Sequence, residues 1–167
     1  MAYLIKKRLF CLGILLCISN FSLATSSHNI YATTLSILSY AKWNTATPSL
    51  CVVDSSNSSV QFASLIKQSN YSFQVDSISQ DDLKRKRCDA VFFSTTTPSI
   101  EQQLLNSSLN KTILSFSTNN PECEIGSTFC LHSSKSGNTL FKVNLDSLAR
   151  SKVHVDPRVL LLARNSE

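Results

Sequence analysis

Glycine is almost missing from this chain: three residues in 167, at positions 13, 126 and 137. The first lies in a segment read below as removed, and two glycines cannot build a glycine-rich phosphate cradle or a Gly-x-Ser-x-Gly nucleophile elbow. Histidine is as sparse. His28, His132 and His154 are scattered, none with a carboxylate or second imidazole at ligand spacing, so no metal centre is expected. Cys123-x6-Cys130 lacks the paired short knuckles of a zinc site. Asp81, Asp82 and Asp89 could be taken for a carboxylate cluster. Beside Lys84-Arg85-Lys86-Arg87 they read instead as a solvated, charge-balanced turn, whose basic run could otherwise meet an acidic partner or lipid head groups. Nothing points to a cofactor, and the chain is not read as an enzyme.

Apolar runs long enough to span a bilayer are also absent. The best, Leu9 to Ile18, is too short for comfort. It follows Lys6, Lys7 and Arg8 and precedes Ser22-Leu23-Ala24, a small-x-small cleavage pattern, so residues 1–24 read as a signal peptide for export and residues 25–167 as the mature domain. A lipid-anchored cysteine is disfavoured, because Cys11 follows Phe10 and Cys17 follows Leu16. Export also reduces the charge. The formal net charge of +5 loses three of its 16 basic residues and none of its 11 acidic ones, leaving 13 against 11, and nucleic-acid binding loses its main support.

What remains is one domain with no internal repeat and no linker. His28 to Trp43 carries Ile30, Thr34, Ile37, Leu38 and Ala41 at helical spacing, with Trp43 as a core or edge anchor. Leu50 to Val53 is a short apolar strand of the kind buried in a parallel sheet. Val60 to Gln68 reads as a helix carrying Val60 and Ala63, with Phe62, Leu65 and Ile66 as further candidates. Tyr71, Phe73 and Val75 alternate as an edge-like strand, which completes a right-handed crossover.

Asp81 to Arg87 is a short charged turn, and Asp89 to Phe93 a third strand. Pro98 opens a helix that should bury Ile100, Leu104, Leu105 and Leu109, and Thr112 to Phe116 is a fourth strand. Thr128 to His132 and Thr139 to Leu145, joined through Gly137-Asn138, form an antiparallel hairpin. A short helix capped by Asn144 or Asp146 should turn Leu145, Leu148 and Ala149 inward, and Val159 to Ala163 should tuck into the core, since an exposed apolar run invites aggregation.

The expected fold is an α/β sandwich: a mostly parallel sheet of three or four strands, a C-terminal antiparallel hairpin, and helices on both faces. Four cysteines survive signal removal, and an oxidising compartment would join them as two disulfides, for which three pairings exist. If the first strand is central, those starting near Cys51 and Cys88 are parallel neighbours about 5 Å apart, close enough for a bridge. Cys123 would then pair locally with Cys130, across an exposed loop whose bridge should be the easier to reduce. Whether that bridge is a redox element or a permanent staple stays open.

The run from Asn144 to Asn165, N-L-D-S-L-A-R-S-K-V-H-V-D-P-R-V-L-L-L-A-R-N, resembles the C-terminal signature of the YfiR family of bacterial periplasmic proteins. Tyr40-Ala41-Lys42-Trp43, Arg87-Cys88-Asp89-Ala90 and Ile125 to Leu131 agree with it in order. The resemblance implies the same two bridges, Cys51 with Cys88 and Cys123 with Cys130, and redox control through them. It also implies a periplasmic repressor that binds the sensory domain of an inner-membrane diguanylate cyclase (YfiN-like), lowering cyclic di-GMP output and so affecting biofilm formation and motility. An outer-membrane lipoprotein (YfiB-like) would sequester the repressor; homodimerisation is left open, and no stable membrane insertion is expected after cleavage. Asn144-Leu145-Asp146 and Leu160-Leu161-Leu162-Ala163 match the family, whereas Asp156-Pro157-Arg158 departs from its small hydroxyl residues and leaves a binding role there in doubt. The competing reading is a periplasmic solute-binding or transporter-associated module with its pocket at the carboxyl edge of the strands.

Overall fold

Asn29 starts the fold by capping a helix. In the computed structural model, which describes residues 29–164, its side chain accepts a hydrogen bond from the Tyr31 amide at the head of α1 (Ile30–Ser39). The proposed signal peptide lies outside the described residues. α1 buries Thr34, Leu35, Ile37 and Leu38 and stops short of the expected Trp43. The backbone beyond it is taken up elsewhere: Ala41 bridges Val155 antiparallel, Lys42 N donates to His154 O at 2.8 Å, and Asp156 N donates to Tyr40 O at 3.0 Å. Trp43 is half-buried edge-on to Phe73, its indole N–H donating to Leu38 O.

The sheet comprises β1 (Ser49–Val53), β2 (Gln74–Ile78), β3 (Ala90–Phe93), β4 (Leu114–Ser117), β5 (Phe129–Ser133) and β6 (Thr139–Val143), in the order β2-β1-β3-β4-β5-β6. Only β6 is antiparallel to its neighbour. Five strands therefore run parallel, not three or four, because β5 lies parallel to β4 (Phe116 beside Phe129) before turning back through Gly137. The link from β4 to β5 holds no helix. It is the loop stapled by Cys123.

Alternation along the strands splits the core into two layers. Leu50, Val52, Phe92, Leu114, Phe116 and Phe129 pack against α1, against α2 (Ser56–Gln68) and against Val159 of the last helix. Cys51, Val53, Val91 and Phe93 pack on the other face against Leu83 and against Leu104 of α3 (Pro98–Ser107). In α2 the structure chooses among the candidate residues. Val60 and Ala63 lie in solvent, and the inward face runs through Ser58, Phe62, Leu65 and Ile66. The aromatic decides it, since Phe62 sits edge-on to both Tyr31 (5.0 Å) and Phe92 (4.9 Å).

α3 starts on Pro98 as expected, but Ile100 and Leu109 are exposed while Glu101 is fully buried with Leu104. The strand of Tyr71 and Phe73 begins later, at Gln74, and these two rings pack half-buried against the core before it. After β6, Asn144 caps α4 (Leu145–Ser151) by accepting from Ser147 N at 2.9 Å. Its inward side is Ser147, Leu148 and Ser151, so Leu145 and Ala149 turn outward, contrary to expectation. The last element, α5 (Pro157–Arg164), is helical, and a helix buries one stripe only. Val159 enters the core, Leu160 and Ala163 are half-buried, and Leu161 and Leu162 remain outside.

Candidate functional site

Two disulfides are present. Cys51, the middle residue of β1, is joined to Cys88 just before β3, with Cα atoms 5.9 Å apart and both residues sealed in the second core layer. Cys123 is joined to Cys130, the second residue of β5, with Cα atoms 5.7 Å apart. The loop between them is not as exposed as the sequence suggested. Cys123 and Cys130 are only 5 % and 2 % exposed, although Glu124 and Ile125 are open to water, so easy reduction cannot rest on exposure of the bridge.

A buried carboxylate holds this loop down. Glu101, in the first turn of α3, accepts from Ser117 Oγ at 2.5 Å, from Ser127 N at 3.1 Å and from Asn120 Nδ2 at 3.3 Å. Asn120 in turn accepts from Cys123 N and donates to Ile125 O, which fixes both sides of the staple. Ser147 of α4 donates to Gly126 O at 2.8 Å. Gly126 is needed at its place: its φ is +81°, and a Cβ there would lie 2.7 Å from Glu101 Oε2 and 2.9 Å from Pro98 O. No cation pairs with Glu101 among the described residues. Its two oxygens are met by neutral donors, the Ser117 hydroxyl, the Ser127 amide and the Asn120 side chain. The sequence reading missed Glu101. The available signal was its spacing, since it falls three and four residues before Leu104 and Leu105 on the same helical face.

Leu145, Leu161 and Leu162 form the other notable surface. They are 64 %, 57 % and 60 % exposed, and Leu145 and Leu161 line a crevice of about 470 Å3 bounded also by Lys142, Val143, Pro157 and Leu160. The sheet edge and α5 position it, because β6 packs against α5 and Asn144 must point inward to cap α4. Leu145 is thereby thrust outward. The Asp156-Pro157-Arg158 segment at its margin is ordered by an ion pair of 2.7 Å, and the Arg158 guanidinium lies 5.7 Å from the centre of the Tyr40 ring. The Arg158 side chain, then its backbone amide, hold the Asp156 carboxyl down at about 2.

The scattered polar candidates do not converge. His132 and His154 are exposed on different segments, and His28 lies outside the described residues. Asp81 pairs with Lys84 and Asp82 with Arg85, both at the surface, while the Ser79 hydroxyl and amide hold the Asp82 carboxyl below its ordinary value. Asp89 faces elsewhere and accepts from Ser49 N.

A family model described as YfiR/HmsC-like matches residues 30–164, which is nearly all of the described structure. The chain belongs to the YfiR/HmsC-like family. Domains of this family are regulatory. Within the matched range Asn144 caps α4, Asp146 lies in its first turn, and Leu160 to Ala163 form part of α5. No helix among the described residues is long and apolar enough to cross a membrane.

Proposed function

We propose that the protein is an exported negative regulator that binds the periplasmic sensory domain of an inner-membrane diguanylate cyclase of the YfiN kind and represses cyclic di-GMP synthesis. The observation that carries this reading is the crevice of Lys142, Val143, Pro157 and Leu160 lined also by the outward Leu145 and Leu161, on a chain of the YfiR/HmsC-like family. A soluble domain gains nothing from such a face unless something covers it. Repression needs only that the inactive receptor conformation be bound more tightly than the active one, and a gap of about 2 to 3 kcal/mol moves most of the population. A YfiB-like outer-membrane lipoprotein competing for the repressor would release the cyclase. Residues 1–24 would direct export and be removed.

Co-purification from membranes tests this. Wild type should recover a membrane-bound cyclase from the periplasmic side and carry a new amino terminus near Thr25. Leu145→Asp and Leu161→Asp should fold normally and lose the cyclase. If both variants retain it, or if the chain stays in the cytosol, the reading is wrong.

One observation favours the solute-binding alternative. A crevice of about 260 Å3 at the carboxyl ends of β3 and β4 is lined by Tyr31, Ser58 and Ser94, and the Ser94 hydroxyl is buried with no partner among the described residues. Thermal stabilisation by a small solute, lost in Ser94→Val, would support that alternative.

A further inference from the structure

We infer that the protein has a phosphate-binding crevice at the amino ends of its parallel strands, on a surface separate from the apolar face and independent of the reading above. The crevice measures about 590 Å3, and Lys42, Arg87, Lys152 and His154 line it together with Trp43 and Asp89. They come from three segments. The antiparallel bridge between Ala41 and Val155 sets Lys42 beside His154, the approach to β3 supplies Arg87, and the end of α4 supplies Lys152.

The charges at this site are not used elsewhere. In the run from Lys84 to Arg87, the first three residues each meet a carboxylate: Lys84 with Asp81, Arg85 with Asp82, and Lys86 with Asp76. Arg87 does not. Neither Lys42 nor Lys152 has an ion-pair partner among the described residues. The one carboxylate in the lining, Asp89, already accepts from the Ser49 amide at 2.9 Å. Three permanent cations thus face one committed anion and an imidazole.

The backbone fixes where one of the cations sits. Lys152 ends α4 in the left-handed region, at φ 55° and ψ 15°, where glycine is the ordinary occupant. Lys152 shares that region with Asp54, Asn70 and Cys123, and it is the one of the four whose side chain borders the basic crevice. The rigid wall is Trp43, held through Leu38 O and Phe73. A single monocarboxylate would leave most of the positive charge unanswered. A phosphate monoester, a diphosphate or the head group of an anionic phospholipid would answer it with several charge-assisted hydrogen bonds, the guanidinium of Arg87 binding two oxygens at once.

The test uses the full exported chain, calorimetric titration with pyrophosphate, and flotation on phosphatidylglycerol vesicles with phosphatidylcholine vesicles as reference. Pyrophosphate should bind saturably, and Arg87→Ala and Lys152→Gly should each weaken binding about tenfold, the loss expected for one charge-assisted contact. Lys152→Gly should also raise Tm, so weaker binding in that variant cannot be blamed on misfolding. Lys135→Ala, on the β5–β6 turn, removes the same charge far from the crevice and should change nothing. Saturable pyrophosphate binding without flotation assigns the crevice to a soluble phosphate compound. Flotation that requires phosphatidylglycerol and is lost in Arg87→Ala assigns it to a head group. The inference is overturned if neither occurs, or if Lys135→Ala costs as much as Arg87→Ala, which would reduce the effect to net charge.

Discussion

Ser117 at the end of β4 donates its hydroxyl to the carboxylate of Glu101 at 2.5 Å, and both residues are shut off from water. This pair joins α3 to the sheet on the side where the stapled loop begins. The other carboxylate oxygen reaches across to Ser127 and Asn120, so one buried side chain connects a helix, a strand and both limbs of a loop. Removing it leaves three donors without an acceptor. Glu101→Ala should cost about 3 to 5 kcal/mol in urea unfolding, by lost hydrogen bonds and a cavity together. Glu101→Gln, which keeps the shape and one acceptor, should cost clearly less. Equal losses in the two variants would mean that packing, not hydrogen bonding, holds the loop.

The two glycines of the described chain should behave differently when replaced by alanine. Gly126→Ala meets both a positive φ and the carboxylate and carbonyl that crowd its missing Cβ, and should lose about 2 to 4 kcal/mol. Gly137→Ala has the same sign of φ and nothing within 4 Å, so its loss should stay near 1 kcal/mol. Paired urea melts check the difference. A harmless Gly126→Ala would show that the loop can lift away from Glu101.

The bridges should reduce in a fixed order. Both are buried, but Cys51 and Cys88 lie inside the sheet core, whereas Cys123 and Cys130 are released by opening one loop. Alkylation and mass spectrometry at rising urea with constant reductant should find Cys123 and Cys130 modified first. Loop-closure entropy adds a second expectation: with separations of 37 and 7 residues, losing the long bridge should cost about 4 kcal/mol and losing the short one about 2 kcal/mol. Simultaneous reduction would remove the basis for redox control through local opening.

Asp156 should leave a mark on acid stability. Its carboxyl is held down at about 2 in the folded chain, mainly by hydrogen bonds from Arg158, against an ordinary value of 3.8. The unfolded chain therefore binds more protons between these values. The stabilisation is complete above pH 4 and is lost as pH falls towards 2. Asp156→Asn should flatten that part of the stability curve and leave its slope above pH 5 unchanged, as followed by urea unfolding at several pH values. An unchanged acid limb would mean that the ion pair with Arg158 is no stronger in the folded state.

Much of the fold can be read along the chain because it depends on near neighbours. Short runs such as Leu50 to Val53 and Ala90 to Phe93 are apolar on both sides of the pleat, which only a strand covered on both faces requires. Pro98 and Asn144 announce helix starts through backbone chemistry of their own. The errors and the open choices fall where residues of one helix compete for the core. Val60 against Phe62, Ile100 against Glu101, and Leu145 against Asn144 were each decided by what lay opposite: an aromatic pair, a loop full of donors, and an amide needing a cap.

Strand segments, helix starts and the closing hairpin follow from residue order, because the forces that make them act over a few bonds. The membership of the two core layers, the burial of Glu101 beneath the staple and the gathering of Lys42, Arg87 and Lys152 around one crevice do not. Those residues lie tens of positions apart in the chain, and only the packing of helices on a twisted sheet brings them close enough for hydrogen bonds and charge to act.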